Sequence, residues 1–309
     1  MRRTVRTLLP ALGLLAAGRT AHAQYTAYGL VNVAGAGQQL VSFNTANPSS
    51  VSVLGVTGQS LTGIDFRPAT GQLFGFNGSA LFTLSTANGA ATPVGGGIGQ
   101  TVAGNVGFDF NPTVDRIRLV GQSGTNLRLN PDNGAVAATD NPYTYAGGDA
   151  GAGQTPVFGA VAYTNSLASA FGTGATGTTL FGIDANRGTL VRIDNPNGGT
   201  VSTVGSGLGL AANVTVTGFD IVTVGSANFA FLTAVGMGNN AASSLYTVNL
   251  ATGAATFAGS VGPTTGNGRL DVQGLAIAPT AVVPEPGTWA LLATGLAGVA
   301  GLARRRRTA

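Results

Sequence analysis

Three aspartates recur in one four-residue setting: Gly63-Ile64-Asp65-Phe66, Gly107-Phe108-Asp109-Phe110 and Gly218-Phe219-Asp220-Ile221. Carboxylates repeated in this way have two uses. Gathered into a partial ring, they would offer oxygen ligands to a hard cation such as calcium, or an acid–base pair to a sugar. Used one by one, each would accept backbone N–H groups in its own repeat, as aspartates do in β-turns. An active site is normally used once and a structural device many times. The repetition therefore favours capping, and no metal or cofactor is expected.

Arg116, Arg118 and Arg128 are the next candidates. They are three of the seven arginines in residues 24–283. Arg116 and Arg118 lie two apart on a predicted strand and so share a face. Arg128 follows across the turn at Gly121–Gly124. Three guanidinium groups on one sheet face would grip a carboxylate or phosphate on a polysaccharide. The competing reading pairs them with Asp115, Asp132 and other aspartates between repeats. It is preferred, because the same stretch holds ten aspartates and little other charge.

The polar insert from Thr139 to Pro156 carries Asp140, Tyr143, Tyr145 and Asp149 among glycines. Loops of this length are often functional. Tyr143, Tyr145 and Asp149 would suit contact with a sugar ring.

Absences narrow the chemistry further. Residues 24–283 contain no Cys, His, Lys, Glu or Trp, and the only histidine, His22, precedes them. A Ser–His–Asp or Cys–His mechanism has no base there. Zinc has no nitrogen or sulfur ligand. A phosphate loop or Schiff base has no lysine. The central stretch carries a net charge of −3, and the basic pI comes from arginines at the two ends. A nucleic-acid partner is therefore not expected. With no cysteine, the chain needs no disulfide in an oxidising compartment.

The elements that must position these residues read as all-β. Short apolar alternations are separated by Gly, Asn, Thr, Pro and Asp, without helical periodicity. The Gly-apolar-Asp-apolar element has weaker copies at Gly159-Ala160-Val161-Ala162 and Gly274-Leu275-Ala276-Ile277. A second element follows as Leu81-Phe82-Thr83-Leu84, Leu127-Arg128-Leu129-Asn130, Leu180-Phe181-Gly182-Ile183 and Leu245-Tyr246-Thr247-Val248. Leu40-Val41-Ser42-Phe43 is its N-terminal copy. Asn88-Gly89 and Asn133-Gly134 are strong hairpin signals. A period of this size points to propeller blades. Four units start at Gly63, Gly107, Gly159 and Gly218. The fifth has only an inner strand near Val272–Ala278, and its outer strands fall at Tyr28–Val31, Gln39–Asn44 and Ser50–Leu54. The expected fold is a β-propeller of five four-stranded blades closed by N-terminal strands. Inserts in the later units leave a sixth blade open.

Both ends read as targeting segments. Arg2, Arg3 and Arg6, an apolar run from Leu8 to Ala17, and Ala21-His22-Ala23 have the order of a secretory signal. Signal peptidase is expected to cut between Ala23 and Gln24. At the other end, Val283-Pro284-Glu285-Pro286-Gly287 precedes an uncharged run from Thr288 to Ala303 and then Arg304 to Arg307. As a helix the run spans about 24 Å, at the short end for a bilayer. Trp289 suits one interface, and the arginines hold the other end in the cytoplasm. This order resembles the PEP-CTERM sorting signal of Gram-negative bacteria. The resemblance implies processing by an exosortase-type membrane protease at Pro284, Glu285 and Pro286. It also implies transient anchoring in the inner membrane, then delivery to the cell surface or beyond. The organisation is thus a signal peptide (1–23), a propeller domain (24–283) and a sorting segment (284–309) with a transmembrane helix at about 288–303.

The central stretch resembles a bacterial family known as domain of unknown function 4394. The likeness rests on Gly107-Phe108-Asp109-Phe110-Asn111-Pro112, Asp115-Arg116-Ile117-Arg118 and Asn126-Leu127-Arg128-Leu129-Asn130-Pro131. It continues through Ala162-Tyr163-Thr164-Asn165, Asn195-Pro196-Asn197-Gly198-Gly199-Thr200, Gly218-Phe219-Asp220-Ile221 and Ser244-Leu245-Tyr246-Thr247-Val248-Asn249-Leu250. It implies a secreted, propeller-like domain and carries over no catalytic residue.

Three functions fit. The preferred one is a non-enzymatic cell-surface or extracellular-matrix protein, active in a biofilm, that binds or organises extracellular polysaccharide. The second is a carbohydrate-active lyase or hydrolase using Asp and Tyr. The third is a purely structural matrix protein.

Overall fold

A computed structural model describes residues 24–174, 177–211, 214–236, 242–263 and 269–279. They belong to one compact unit, Gln24–Val283, built as five antiparallel sheets. Blade one orders β21 (Val272–Ile277), β1 (Thr26–Val33), β2 (Gly37–Asn44) and β3 (Asn47–Val56) from axis to rim. Blade two is β4 (Gly63–Phe66), β5 (Leu73–Phe76), β6 (Leu81–Leu84) and β7 (Ala91–Val94). Blade three is β8 (Val106–Asn111), β9 (Arg116–Gly121), β10 (Asn126–Leu129) and β11 (Val136–Thr139). Blade four is β13 (Phe158–Tyr163), β14 (Leu180–Asp184), β15 (Thr189–Asn195) and β16 (Thr200–Val204), with the short β12 (Thr144–Tyr145) added parallel to β16. Blade five is β17 (Val214–Val224), β18 (Ala227–Gly236), β19 (Ser243–Val248) and β20 (Ala255–Ser260).

The inner strands close a ring: β4 touches β8, β8 touches β13, β13 touches β17, β17 touches β21, and β21 touches β4. In blade one, Ala27 lies opposite Ile277 and Tyr28 opposite Ala276. Strands far apart in sequence thus share one sheet, which removes two open edges from the ring. The expected five-bladed propeller with N-terminal closure is the observed fold.

Burial explains the sequence pattern. Inner strands are covered on both faces, so β4, β8 and β13 are almost wholly buried and read as continuous runs. Outer strands such as β7 and β20 are half exposed and read as short mixed segments, with Thr, Pro, Gly and Ser among apolar residues. The apolar cores lie between neighbouring blades. Phe74 and Phe76 of blade two pack on Phe110 and Phe108 of blade three, with ring centroids 5.2 and 6.2 Å apart. The outer edges meet closely too. A Cβ on Gly95, whose φ is +65°, would stand 1.7 Å from the Asn133 carbonyl oxygen, so only glycine serves there.

Two register expectations need correction. Leu180-Phe181-Gly182-Ile183 forms the second strand of blade four, and the third strand is Leu190-Val191-Arg192-Ile193 in β15. A bulge between Phe158 and Ala160 shifts the inner strand by one residue. Ala162, rather than Val161, therefore takes the aspartate position, facing Phe181 as Asp65 faces Phe74.

The expected helix at 288–303, the arginine block, and Ala23, Pro284, Glu285 and Pro286 lie outside the described residues. Among the described residues, no helix is long and apolar enough to cross a membrane.

Candidate functional site

The repeated aspartates meet near the axis. Asp65, Asp109 and Asp220 are buried, and one oxygen from each lies within 4.8 Å of the others. Their position on the inner strand explains the convergence. Gly63, Gly107 and Gly218, two residues earlier, let the next blade approach: a Cβ on Gly63 would stand 2.7 Å from the Phe108 Cβ. The carboxylate then reaches the next blade's backbone. Asp65 accepts from Phe66 N and from Phe110 N, both at 2.7 Å. Asp109 accepts from Tyr163 N at 2.9 Å. Asp220 accepts from Ile221 N and Ile277 N. Each aspartate thus staples its inner strand to that of the following blade, rather than capping its own repeat alone. In blades four and one the position is held by Ala162 and Ala276.

Three carboxylates so close and so dry resist ionisation. Burial first, and then the neighbouring carboxylates, hold Asp65 and Asp109 well above the usual carboxylate range. Burial pushes Asp220 up to about 6 against the pull of the Ile277 and Ile221 amides. This is the group among the described residues whose geometry would accommodate a cation. The backbone amides already engage both oxygens of Asp65 and of Asp220.

A second site follows from comparing the blades row by row. The residue opposite the aspartate position on the second strand is Phe74, Phe181, Phe231 or Tyr28 in four blades, and Arg118 in blade three. One strand farther out stand Thr83, Thr247 and Ser42 in blades two, five and one, but Arg128 in blade three and Arg192 in blade four. Only blades three and four place arginine in this row. Arg118, Arg128 and Arg192 line one groove of about 580 Å³ together with Asn111, Asn195 and Asn197.

The groove's inner wall is a fixed polar network. Arg118, 3% exposed, donates through Nη1 to Asp140 Oδ2 at 2.6 Å and to Asn126 Oδ1 at 2.8 Å. Its Nη2 donates to Asn197 Oδ1 at 2.7 Å. Arg128 grips the same Asp140 with Nε and Nη2, at 2.8 and 2.9 Å. Burial alone would raise the Asp140 pKa, but the hydrogen bonds from Arg128 and Arg118 hold it below the ordinary value. Arg192 is more than half exposed and pairs with Asp194. Three guanidinium groups face two carboxylates here, in a domain whose net charge is negative.

Arg116 is not among the groove residues; its Nη1 donates to the Asp115 carbonyl. Asp115 and Asp132, expected as partners of the arginine cluster, pair instead with Arg67 of blade two. The insert's tyrosines point inward. Tyr143 is buried against Phe158 and donates to Asn126 Oδ1. Tyr145 is buried, donates to Asp184 Oδ2 at 2.6 Å, and lies beneath Arg187. Burial and the Asp184 carboxylate push its pKa up to about 12. Asp149 accepts from Thr203 N and Oγ1 and from Gly151 N. These three residues pin the insert to blade four and, as placed, offer no ring face to a sugar. Arginine density in the sequence points to Arg116, Arg118 and Arg128 and misses Arg192, whose equivalence to Arg128 follows from the alignment of the third strands.

Comparison with known proteins places this fold in context. The family described as Domain of unknown function (DUF4394) matches residues 39–276. The PEP-CTERM protein-sorting motif matches residues 282–307. This motif marks the chain for export to the cell envelope or surface and for processing by an exosortase. No curated protein matches the sequence. Similar solved structures include a candidate 6-phosphogluconolactonase from Bacteroides uniformis, with 12% identity, 85% of each chain covered and a TM-score of 0.37. Another candidate 6-phosphogluconolactonase, from Bacteroides fragilis, has 12% identity, covers 81% of this chain and 84% of its own, and has a TM-score of 0.41. A chain from work on the de novo evolutionary emergence of a symmetrical protein has 14% identity, 77% and 93% coverage, and a TM-score of 0.42. At these values the likenesses decide nothing about this chain.

Proposed function

Because the chain belongs to the DUF4394 family and carries a PEP-CTERM sorting motif, we propose that it is a non-enzymatic surface or matrix propeller that binds anionic extracellular polysaccharide. The reading rests on one observation: the arginine row of blades three and four, gathered in a groove on an otherwise acidic domain. Arg118 is the buried positioning group. It and Arg128 share a single carboxylate, so the pair keeps an excess of positive charge. Arg128 and Arg192 face outward and would meet the ligand. A planar guanidinium matches the carboxylate of a uronic acid in a bidentate fork. The asparagines Asn111, Asn195 and Asn197 would meet sugar hydroxyls. The carboxylates beside the arginine row, Asp194 in the groove and Asp140 behind it, are tied to arginine, which leaves them poorly suited to proton transfer and supports binding over catalysis.

Biofilm matrix is the setting that fits such a ligand in a Gram-negative host. The test is co-sedimentation of the purified propeller with polygalacturonate and with a neutral glucan, at low and high salt. Retention on the acidic polymer alone, lost as salt rises, is expected. Retention on the neutral glucan equal to that on polygalacturonate, or shortening of either polymer, would overturn the reading.

A further inference from the structure

The axis opens into a different kind of pocket where the inner strands begin. It measures about 290 Å³ and takes residues from all five blades. Its lining holds no charged side chain. The deeper surface is apolar, formed by Ile64, Phe108, Val161, Phe219 and Leu275, all buried. Amides and hydroxyls stand around it, and they divide into two groups. The first is fixed by the fold. Gln38 donates through Nε2 to the Leu61 carbonyl and accepts from Leu61 N. Thr62 donates to the Phe76 carbonyl, Thr217 to Thr233 Oγ1, and Gln273 through Nε2 to Asp271 Oδ1. The second group is Asn32, Ser60 and Asn105. These three are exposed, and no other described residue engages their side chains.

We infer that this axial mouth is a second binding site, which takes one neutral sugar residue. A pocket near the lower end of the usual ligand range fits a single ring and excludes a chain. Carboxamides are both donor and acceptor, as sugar hydroxyls are, so Asn32 and Asn105 can meet either end of a hydroxyl dipole. Phe108 and Phe219 offer apolar surface for the sugar's C–H face. The lining holds no cation, so a sugar carboxylate entering the mouth would lose water with nothing in the wall to balance its charge. The preference is thus opposite to that of the arginine groove. The two sites would let one propeller hold an acidic chain at one place and a neutral residue at another.

The experiment is a titration of ¹⁵N-labelled propeller with the methyl glycosides of glucose, galactose and mannose, and with glucuronate and glucosamine, at tens of millimolar. At least one neutral glycoside should shift amides of residues 60–64, 105–108, 217–219 and 273–275. In the Asn32→Ala/Asn105→Ala variant, affinity should fall about tenfold or more while the melting temperature stays put, since two exposed hydrogen-bonding groups are removed. Absence of shifts with every neutral glycoside would overturn the inference. So would shifts confined to the arginine groove, or a charged sugar binding the mouth more tightly. Because groove and mouth are read by different amides and different ligands, failure at one is told apart from failure at the other.

Discussion

Arg128 and Arg192 occupy the same place on neighbouring blades. Each stands on the third strand opposite the second-strand row, Arg128 facing Arg118 and Arg192 facing Phe181. Their equivalence puts two guanidinium groups into one groove, although their positions are 64 residues apart in the sequence.

Arg118 differs from both in being structural as well as positioning. Replacing it with Ala leaves Asp140 with Arg128 alone and Asn126 Oδ1 with Tyr143 alone, and takes away the partner of the Asn197 side chain. A cost of roughly 3–5 kcal/mol in denaturant unfolding is expected. Arg116→Ala, which loses a bond to a neighbouring carbonyl, should cost no more than about 0.5 kcal/mol. Equal costs would contradict the assignment.

The axial carboxylates make stability depend on pH in a definite direction. Their folded pKa values are raised, so the folded state binds protons more tightly than the unfolded chain. That contribution is complete below the ordinary carboxylate value of about 4 and is lost as pH rises through the folded values, about 6 for Asp220. Melting temperature should therefore fall from pH 5 to pH 8, and Asp109→Asn should flatten the profile. A melting temperature that climbs over this range would contradict the staple reading.

Metal dependence is expected to be absent. Backbone amides satisfy both oxygens of Asp65 and of Asp220. Chelator should leave the melting temperature unchanged, and added calcium should not raise it. Since a ligand at a hundredfold excess over its dissociation constant stabilises by about 3 kcal/mol, a rise of several degrees with calcium would be visible and would make the triad a cation site.

Much of this architecture was legible in the chain. The Gly-apolar-Asp-apolar repeat marks the inner strands of three blades because each residue has a use at the axis: glycine for the approach of the next blade, aspartate for its amide. Blade four departs from the sequence pattern for a physical reason. Its bulge displaces the frame, and Leu180-Phe181-Gly182-Ile183 imitates a third strand in composition. The insert's tyrosines looked like surface residues because nothing local shows that β12 will add to β16 and carry them inward. Asn32, Ser60 and Asn105 have no common setting in sequence, since the end of β1 and the loops before β4 and β8 bring them together. The arginine groove was half legible: Arg118 and Arg128 stood out by density, whereas Arg192 belongs to it only through the ring.

Closure and sorting are separately testable. Deleting residues 24–56 strips β21 of its only blade partners and should abolish cooperative melting; a cooperative melt after the deletion would contradict closure. Mass spectrometry of the exported protein should find Gln24 as the first residue and processing near Pro284–Pro286. A mature form retaining Trp289 and Arg304–Arg307 would contradict sorting.

The most direct measurement is retention of the Arg128→Ala/Arg192→Ala propeller on immobilised polygalacturonate, beside the parent and with melting temperatures recorded for both. The account predicts that the parent is held at low salt and released as salt rises, while the variant keeps a cooperative melt, lowered by the loss of the Arg128–Asp140 pair, and passes through unretained. A variant that folds normally and is held as tightly as the parent would contradict it.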